Sequence, residues 1–231
     1  MAKILVVIPA FNEAESLTRI LPKFKGCLYN ILVIDDGSTD HTKDVLLNLS
    51  ANYICHSQNL GQGAALMTGM KYANDGNYDI VVHFDADGQH QVPDIATLIT
   101  PLLTNQYDIA LGSRFLKRET ISRIPFRRRA LLRIARYVDF AFSGILLSDV
   151  HNGLRALNRN AFSQMNLTLP RMAHASQILQ EIKRLGLRYK EVPVDIVYFE
   201  QKHKKGQSLI VAFGIVLDLL KHKLKHVVPR P

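Results

Sequence analysis

Four short, almost uninterrupted apolar runs constrain this chain most: KILVVIPA, YNILVIDDG, ANYICHS and YDIVVHFDAD. Helix signals separate them, from about Glu13 to Phe24, about His41 to Leu49 and about Gly63 to Asn74. A strand with one wet face alternates apolar and polar residues, whereas a run apolar throughout needs cover on both faces. Repeated strand–helix units of this kind predict an α/β fold, a Rossmann-like and mostly parallel sheet flanked by helices. YDIALGSRF reads as a further strand. Such sheets bind ligands beyond the carboxyl ends of their strands. Polar clusters stand at those ends: PAFNE, DDGSTD, NLGQGAA and DADGQH.

DADGQH carries the most chemistry. Alternate side chains of a strand share a face, so Asp85, Asp87 and Gln89 converge if the chain stays extended as it leaves the sheet. Two carboxylates and an amide oxygen are hard ligands that suit Mg²⁺ or Mn²⁺ and leave coordination positions for a substrate phosphate. The competing interpretation is an Asp/Gly turn with solvated carboxylates.

DDGSTD can form a tight turn and cap the following helix through Ser38, Thr39 or Asp40. That turn does not account for the adjacent carboxylates Asp35 and Asp36. GQGAAL opens a helix with a glycine-bearing loop whose amides can approach a phosphate. It lacks the third glycine of a dinucleotide fingerprint, and the chain has no GxxxxGK[ST] loop.

The net charge of +9 conceals a division at Ser113. Residues 1–113 hold 6 Lys/Arg and 12 Asp/Glu, and residues 114–231 hold 23 and 8. An acidic half suits metal handling; a basic half suits an anionic ligand or surface, either nucleic acid or anionic lipid. Cys27 and Cys55 lack metal-ligand spacing and read as structural thiols. The chain enters its first strand without an apolar leader, which predicts a cytoplasmic protein or one on the cytosolic face of a membrane.

From Arg127 to Leu147 a helical wheel gathers Leu131, Ile134, Ala135, Val138, Phe142, Ile145 and Leu146 opposite Arg129, Arg133 and Arg136. Phe140 falls on the polar side. A second stripe, Leu209, Phe213, Val216 and Leu220, precedes the basic run KHKLKH. As a helix, 208–220 reaches about 20 Å, short of a hydrocarbon core of about 30 Å. Both segments therefore read as interfacial helices on an anionic membrane surface, with packing against the domain's own core as the alternative.

Six strings in order, VVIPAFNE, VIDDGSTD, NLGQGAA, FDADGQH, LGSRF and DVHNGLRALNR, resemble family 2 glycosyltransferases of the GT-A fold, in particular the dolichyl-phosphate and bacterial polyprenyl-phosphate branch. The resemblance implies a catalytic domain over 1–206, a basic insert at about 117–148 and an amphipathic basic helix over 207–231. It implies that Pro9, Phe11, Glu13 and Gly61 line a nucleotide-sugar pocket, that Asp35 and Asp36 recognise base or ribose, and that Ala86 lies beside the donor. Asp85, Asp87 and Gln89 would hold Mg²⁺ or Mn²⁺. Arg114 and Arg155 would meet phosphate or acceptor, and Asp149, His151 and Asn152 would face sugar or acceptor. Many relatives carry an Arg before a GxS motif; here QKHKKGQS offers Lys202, Lys204 or Lys205, with Lys205 the chosen cation.

The reaction so implied is inverting transfer of a sugar from a UDP- or GDP-sugar to a polyprenyl phosphate. The alternative acceptor is a glycan hydroxyl, for which Asp149 or His151 would serve as base. Many polyprenyl-phosphate glucosyltransferases carry a long multi-span carboxyl terminus that does not show in this sequence, so the resemblance leaves membrane attachment to the interfacial helices or to a small membrane-protein partner; nucleic acid is not expected as a partner. A nucleotidyltransferase would need a basic glycine-rich loop where this chain reads PAFNEAES. A noncatalytic basic adaptor would leave DADGQH and DDGSTD without a purpose.

Overall fold

The computed structural model describes residues 2–117, 136–137, 140–141, 143–168 and 173–197. Its strands are β1 (Ile4–Ala10), β2 (Asn30–Asp35), β3 (Tyr53–Cys55), β4 (Ile80–His83), β5 (Ile109–Ser113), β6 (Arg155–Asn158) and β7 (Tyr189–Pro193). Its helices are α1 (Ala14–Ile20), α2 (Thr42–Asn48), α3 (Gln62–Asp75), α4 (Asp94–Leu103), α5 (Arg159–Phe162) and α6 (Ala173–Arg184). The strands form one sheet in the order β3-β2-β1-β4-β6-β5-β7. Only β6 runs against its neighbours β4 and β5; the other pairings are parallel.

The unbroken apolar runs have the cause anticipated for them. Along β1, Leu5 and Val7 enter one core with α3 residues Leu66 and Met70 and α6 residues Ile178 and Ile182. Ile4, Val6 and Ile8 enter a second core with Leu17 of α1, Leu46 of α2 and Leu98 of α4. Every β1 side chain is therefore buried. Each such aliphatic residue contributes about 1.5–3 kcal/mol by leaving water.

Local differences from the sequence reading have local causes. The first helix ends at Ile20 and tightens into a 3₁₀ turn over Leu21–Phe24, where Pro22 offers no N–H. β4 ends at His83, and the chain then turns through Ala86 and Asp87. The helical reading to Leu147 also runs too far. Gly144 adopts φ 73° and its N–H closes on Phe140 O at 2.7 Å, so Ile145 and Leu147 are buried outside any helix. Phe140 is 44% exposed and Tyr137 63% exposed, in keeping with the polar side to which the wheel assigns Phe140. Residues 118–135 and 198–231, which hold most of the basic insert, the carboxyl-terminal stripe and Lys205, lie outside the described residues.

Insertion of β6 between β4 and β5 is what assembles the candidate site. Register pairs His83 with Arg155, and Leu111 with Arg155. The loop 149–154 that enters β6 therefore meets both the tip of β4 and the tip of β5.

Candidate active site at the carboxyl ends of the strands

The loop after β1 is stitched to the loop after β2. Asn12 donates its N–H to Ser38 Oγ at 2.9 Å and accepts the Thr39 N–H on Oδ1 at 2.8 Å; Glu13 N donates to Thr42 Oγ1 at 3.0 Å. Asp40 Oδ1 accepts the Thr42 N–H at 2.9 Å, so of the three cap candidates Asp40 is the one that meets the start of α2. Phe11 projects from this seam 40% exposed, whereas Pro9 is buried within β1.

Asp35 and Asp36 are both buried and both engaged by the polypeptide. Asp35 Oδ1 accepts the Ser38 N–H at 3.0 Å, and Cys55 Sγ lies 3.4 Å from Oδ2. Burial, then this carboxylate, pushes the Cys55 thiol up from its ordinary value. Asp36 binds the loop that leads into α3: His56 Nδ1 at 2.7 Å, Leu60 N at 3.0 Å and Gly61 N at 2.7 Å. His56 Nε2 is in turn 2.9 Å from Thr68 Oγ1. Asp36 and Gly61, drawn from different motifs, are thus in direct contact.

Asp85 and Asp87 come together without the extended chain from which their convergence was argued. Gly88 has φ 79°, and Asp87 Oδ1 accepts the Gln89 N–H at 3.0 Å, forming a turn. Burial, then the charge of Asp85, raises the Asp87 carboxyl above its ordinary value, and the Gln89 N–H, then His90 and Arg114, offset part of the rise. Two carboxylates close enough to oppose each other's ionisation are relieved by a divalent cation. Among the described residues no group of three or more His, Cys, Asp or Glu is arranged for a metal. Asp85 and Asp87 are hard oxygen donors of the kind that would suit Mg²⁺ or Mn²⁺ if substrate and water completed the shell. Gln89 is half-buried beside them, its carbonyl accepting the Val197 N–H at 2.9 Å, and Ala86 is buried between the two aspartates.

Arg114 leaves β5 toward the same place and is held by Asp149. Asp149 Oδ2 accepts Arg114 Nε at 2.6 Å and Arg114 N at 3.0 Å, with side chains 6% and 1% exposed. Asn152 Nδ2 donates to the same oxygen at 3.3 Å, and its Oδ1 accepts the Leu154 N–H at 3.0 Å. Glu191 of β7 anchors the loop by accepting Ser148 N at 2.8 Å and Ser148 Oγ at 2.6 Å. Arg155 is buried in β6 and donates from Nη2 to Val150 O at 3.1 Å; His151 is half-buried in the loop between them.

Three contributors escaped the sequence reading: Gln62, whose Nε2 donates to Asp85 Oδ1 at 2.8 Å; His90, whose Nε2 lies 3.3 Å from Asp85 Oδ2; and Gly153, packed against that carboxylate. Each lies inside a motif that was recognised, NLGQGAA, FDADGQH or DVHNGLRALNR. Glu191 had no local signal, because its role depends on the pairing of β7 with β5.

Residues 5–165 match the model of glycosyl transferase family 2. A UDP-N-acetylglucosamine–dolichyl-phosphate N-acetylglucosaminyltransferase of Methanococcus voltae is 30% identical over 244 residues, covering 97% of each chain. An uncharacterized protein of Methanocaldococcus jannaschii is 33% identical over 225 residues, covering 96% of this chain and 93% of the relative. A dolichol-phosphate mannosyltransferase of Pyrococcus furiosus is 34% identical over 230 residues, covering 95% of this chain and 62% of the relative. Among solved structures, glucosyl-3-phosphoglycerate synthase of Mycobacterium tuberculosis with Mn²⁺, uridine diphosphate and phosphoglyceric acid superposes with a TM-score of 0.74 at 22% identity, covering 99% of this chain and 80% of that one. The sheet order, the family match over β1 to α5 and the relatives of equal length together establish that the chain belongs to glycosyl transferase family 2, with the GT-A fold and the activity class of a glycosyltransferase.

Proposed function

We propose that this chain transfers a sugar, with inversion, from a UDP- or GDP-sugar to a polyprenyl phosphate at an anionic membrane surface, with Mg²⁺ or Mn²⁺ held by Asp85 and Asp87. The observation that carries the proposal is the convergence of those carboxylates with the buried Arg114–Asp149 pair beyond the carboxyl ends of β4 and β5. Relatives that match nearly the whole chain and are named for dolichyl-phosphate and undecaprenyl-phosphate acceptors support the lipid phosphate.

A bound divalent ion supplies Lewis-acid charge to a diphosphate leaving group. The chain's own residues do the rest. Phe11, Glu13, Asp36 and Gly61 form the nucleotide side of the cleft, with Asp35 bracing its turn. Arg114 adds positive field near Asp87, and Asp149 holds the guanidinium in place. In this reading Asp149 positions Arg114 and is not a base. A phosphate monoester has a second pKa near 6 and is largely dianionic at neutral pH, so it needs cations and orientation more than proton removal. Arg155, His151 and Lys205 are assigned to the acceptor side. No helix among the described residues is long and apolar enough to cross a membrane. Membrane contact is assigned to the basic segments at about 117–148 and 207–231, with or without a small membrane-protein partner.

The test is transfer of labelled sugar from a panel of UDP- and GDP-sugars to a short polyprenyl phosphate, with the matching polyprenol as control. Labelled lipid from the phosphate alone is expected. Transfer to the alcohol at an equal rate would point to a hydroxyl acceptor instead.

A further inference from the structure

Asp85 is gripped from three elements. Gln62 in the first turn of α3 donates to Oδ1 at 2.8 Å, His90 Nε2 reaches Oδ2 at 3.3 Å, and the backbone at Gly153 closes on the carboxylate. The residue before Gln62 is also committed: Gly61 N donates to Asp36 Oδ2 at 2.7 Å. Two successive residues therefore tie the tip of β2 to the tip of β4.

His90 Nε2 can donate to an ionised Asp85 carboxylate, which only accepts. His90 Nδ1 is buried with no hydrogen-bond partner among the described residues. The ring itself is held edge-on to Phe84, centroids 5.6 Å apart. Neither donor blocks coordination, because each carboxylate oxygen accepts more than one bond.

We propose that Gln62 and His90 are positioning residues that orient Asp85 toward the divalent cation, and that Gln62, through its neighbour Gly61, couples that orientation to the nucleotide side of the cleft. The proposal rests on the functional reading above, in which Asp85 is a cation ligand.

The experiment is calorimetric titration of Mn²⁺ into the full chain in the presence of UDP, for the wild type, Gln62→Leu, His90→Phe and His90→Gln. Gln62→Leu and His90→Phe should each weaken Mn²⁺ binding about 10-fold or more, the usual consequence of losing a group that orients a ligand. His90→Gln, which keeps an amide donor, should recover most of the loss, and UDP affinity in chelator should change less than twofold. Wild-type Mn²⁺ affinity retained in both Gln62→Leu and His90→Phe would overturn the positioning role. No Mn²⁺ binding by the wild type would instead overturn the functional reading on which it rests. If a variant fails to fold, nitrogen-15 spectra of the wild-type histidines decide: His90 should be the Nε2–H tautomer, and an Nδ1–H tautomer would overturn the proposal.

Discussion

A methyl group on Gly153 would lie 1.8 Å from Asp85 Oδ2 and 2.4 Å from its Cγ, so the backbone entering β6 and the first carboxylate of DADGQH occupy a space that admits no side chain between them. The antiparallel strand β6 is thereby keyed to the candidate metal site. Gly153→Ala must displace Asp85, which Gln62 and His90 hold from the other side. A shift of about 1 Å in a positioned group can cost 10²-fold in rate. Turnover is expected to fall about 100-fold while the protein remains folded, a combination checked by steady-state kinetics alongside a thermal melt.

The Arg114–Asp149 pair should be costly to break. Asp149→Ala leaves a guanidinium buried without its main partner, and losing one member of a buried pair costs about 3–5 kcal/mol. Arg114→Lys should not restore activity, since a lysine lacks both the Nε donor and the planar fork. Urea unfolding of Asp149→Ala and kinetics of Arg114→Lys check the two statements separately.

Acid stability should depend on a pair far from the site. Side-chain hydrogen bonds from Arg188 hold the Asp108 carboxyl at about 2, below its ordinary 3.8. A carboxyl depressed in the folded state stabilises the protein fully above its unfolded pKa, and that contribution is lost as pH falls toward 2. Arg188 is 56% exposed, so solvent screening keeps the gain small. Arg188→Met should move the acid-unfolding midpoint, followed by circular dichroism, to higher pH and lower stability at pH 7 only slightly.

Arg136 stands next to the exposed Tyr137, close in sequence to the exposed Phe140. On the membrane reading of this basic stretch, Arg129, Arg133 and Arg136 changed together to Gln should weaken binding to anionic vesicles, each basic residue near such a surface being worth about 1 kcal/mol. Nucleotide affinity should be unaltered. Undiminished co-sedimentation with the vesicles would favour packing against the protein's own core.

How much of this was legible beforehand follows from where the information lies along the chain. β1 to β4 declare themselves because both sheet faces are covered, which leaves unbroken apolar runs. β6 and β7 do not: RALN is short and mixed, and YKEVP is an edge strand with two exposed residues at its start. Asp85, Asp87, Arg114 and Asp149 were recognisable within local motifs, and the fold brings them together beyond the carboxyl ends of β4 and β5. The grip on Asp85 was only partly legible: His90 stands five residues away in the same motif, but Gln62 and Gly153 reach it from segments whose spacing in sequence carries no sign of contact. The extended-strand argument for Asp85, Asp87 and Gln89 also misplaced its cause. β4 ends at His83 and the chain turns through Ala86 and Asp87, so strand alternation is not what brings Asp85 and Asp87 together.

The central claim is that Asp85 and Asp87 hold a cation that binds the nucleotide diphosphate. Its most direct test is calorimetry of UDP- and GDP-sugars against wild-type protein and Asp87→Asn, each in Mn²⁺ and in chelator. The account predicts that one donor class binds the wild type at least 10-fold more tightly with Mn²⁺, and that Asp87→Asn abolishes this difference while its affinity in chelator is retained. Metal-independent binding by the wild type, or an undiminished Mn²⁺ effect in Asp87→Asn, would contradict it.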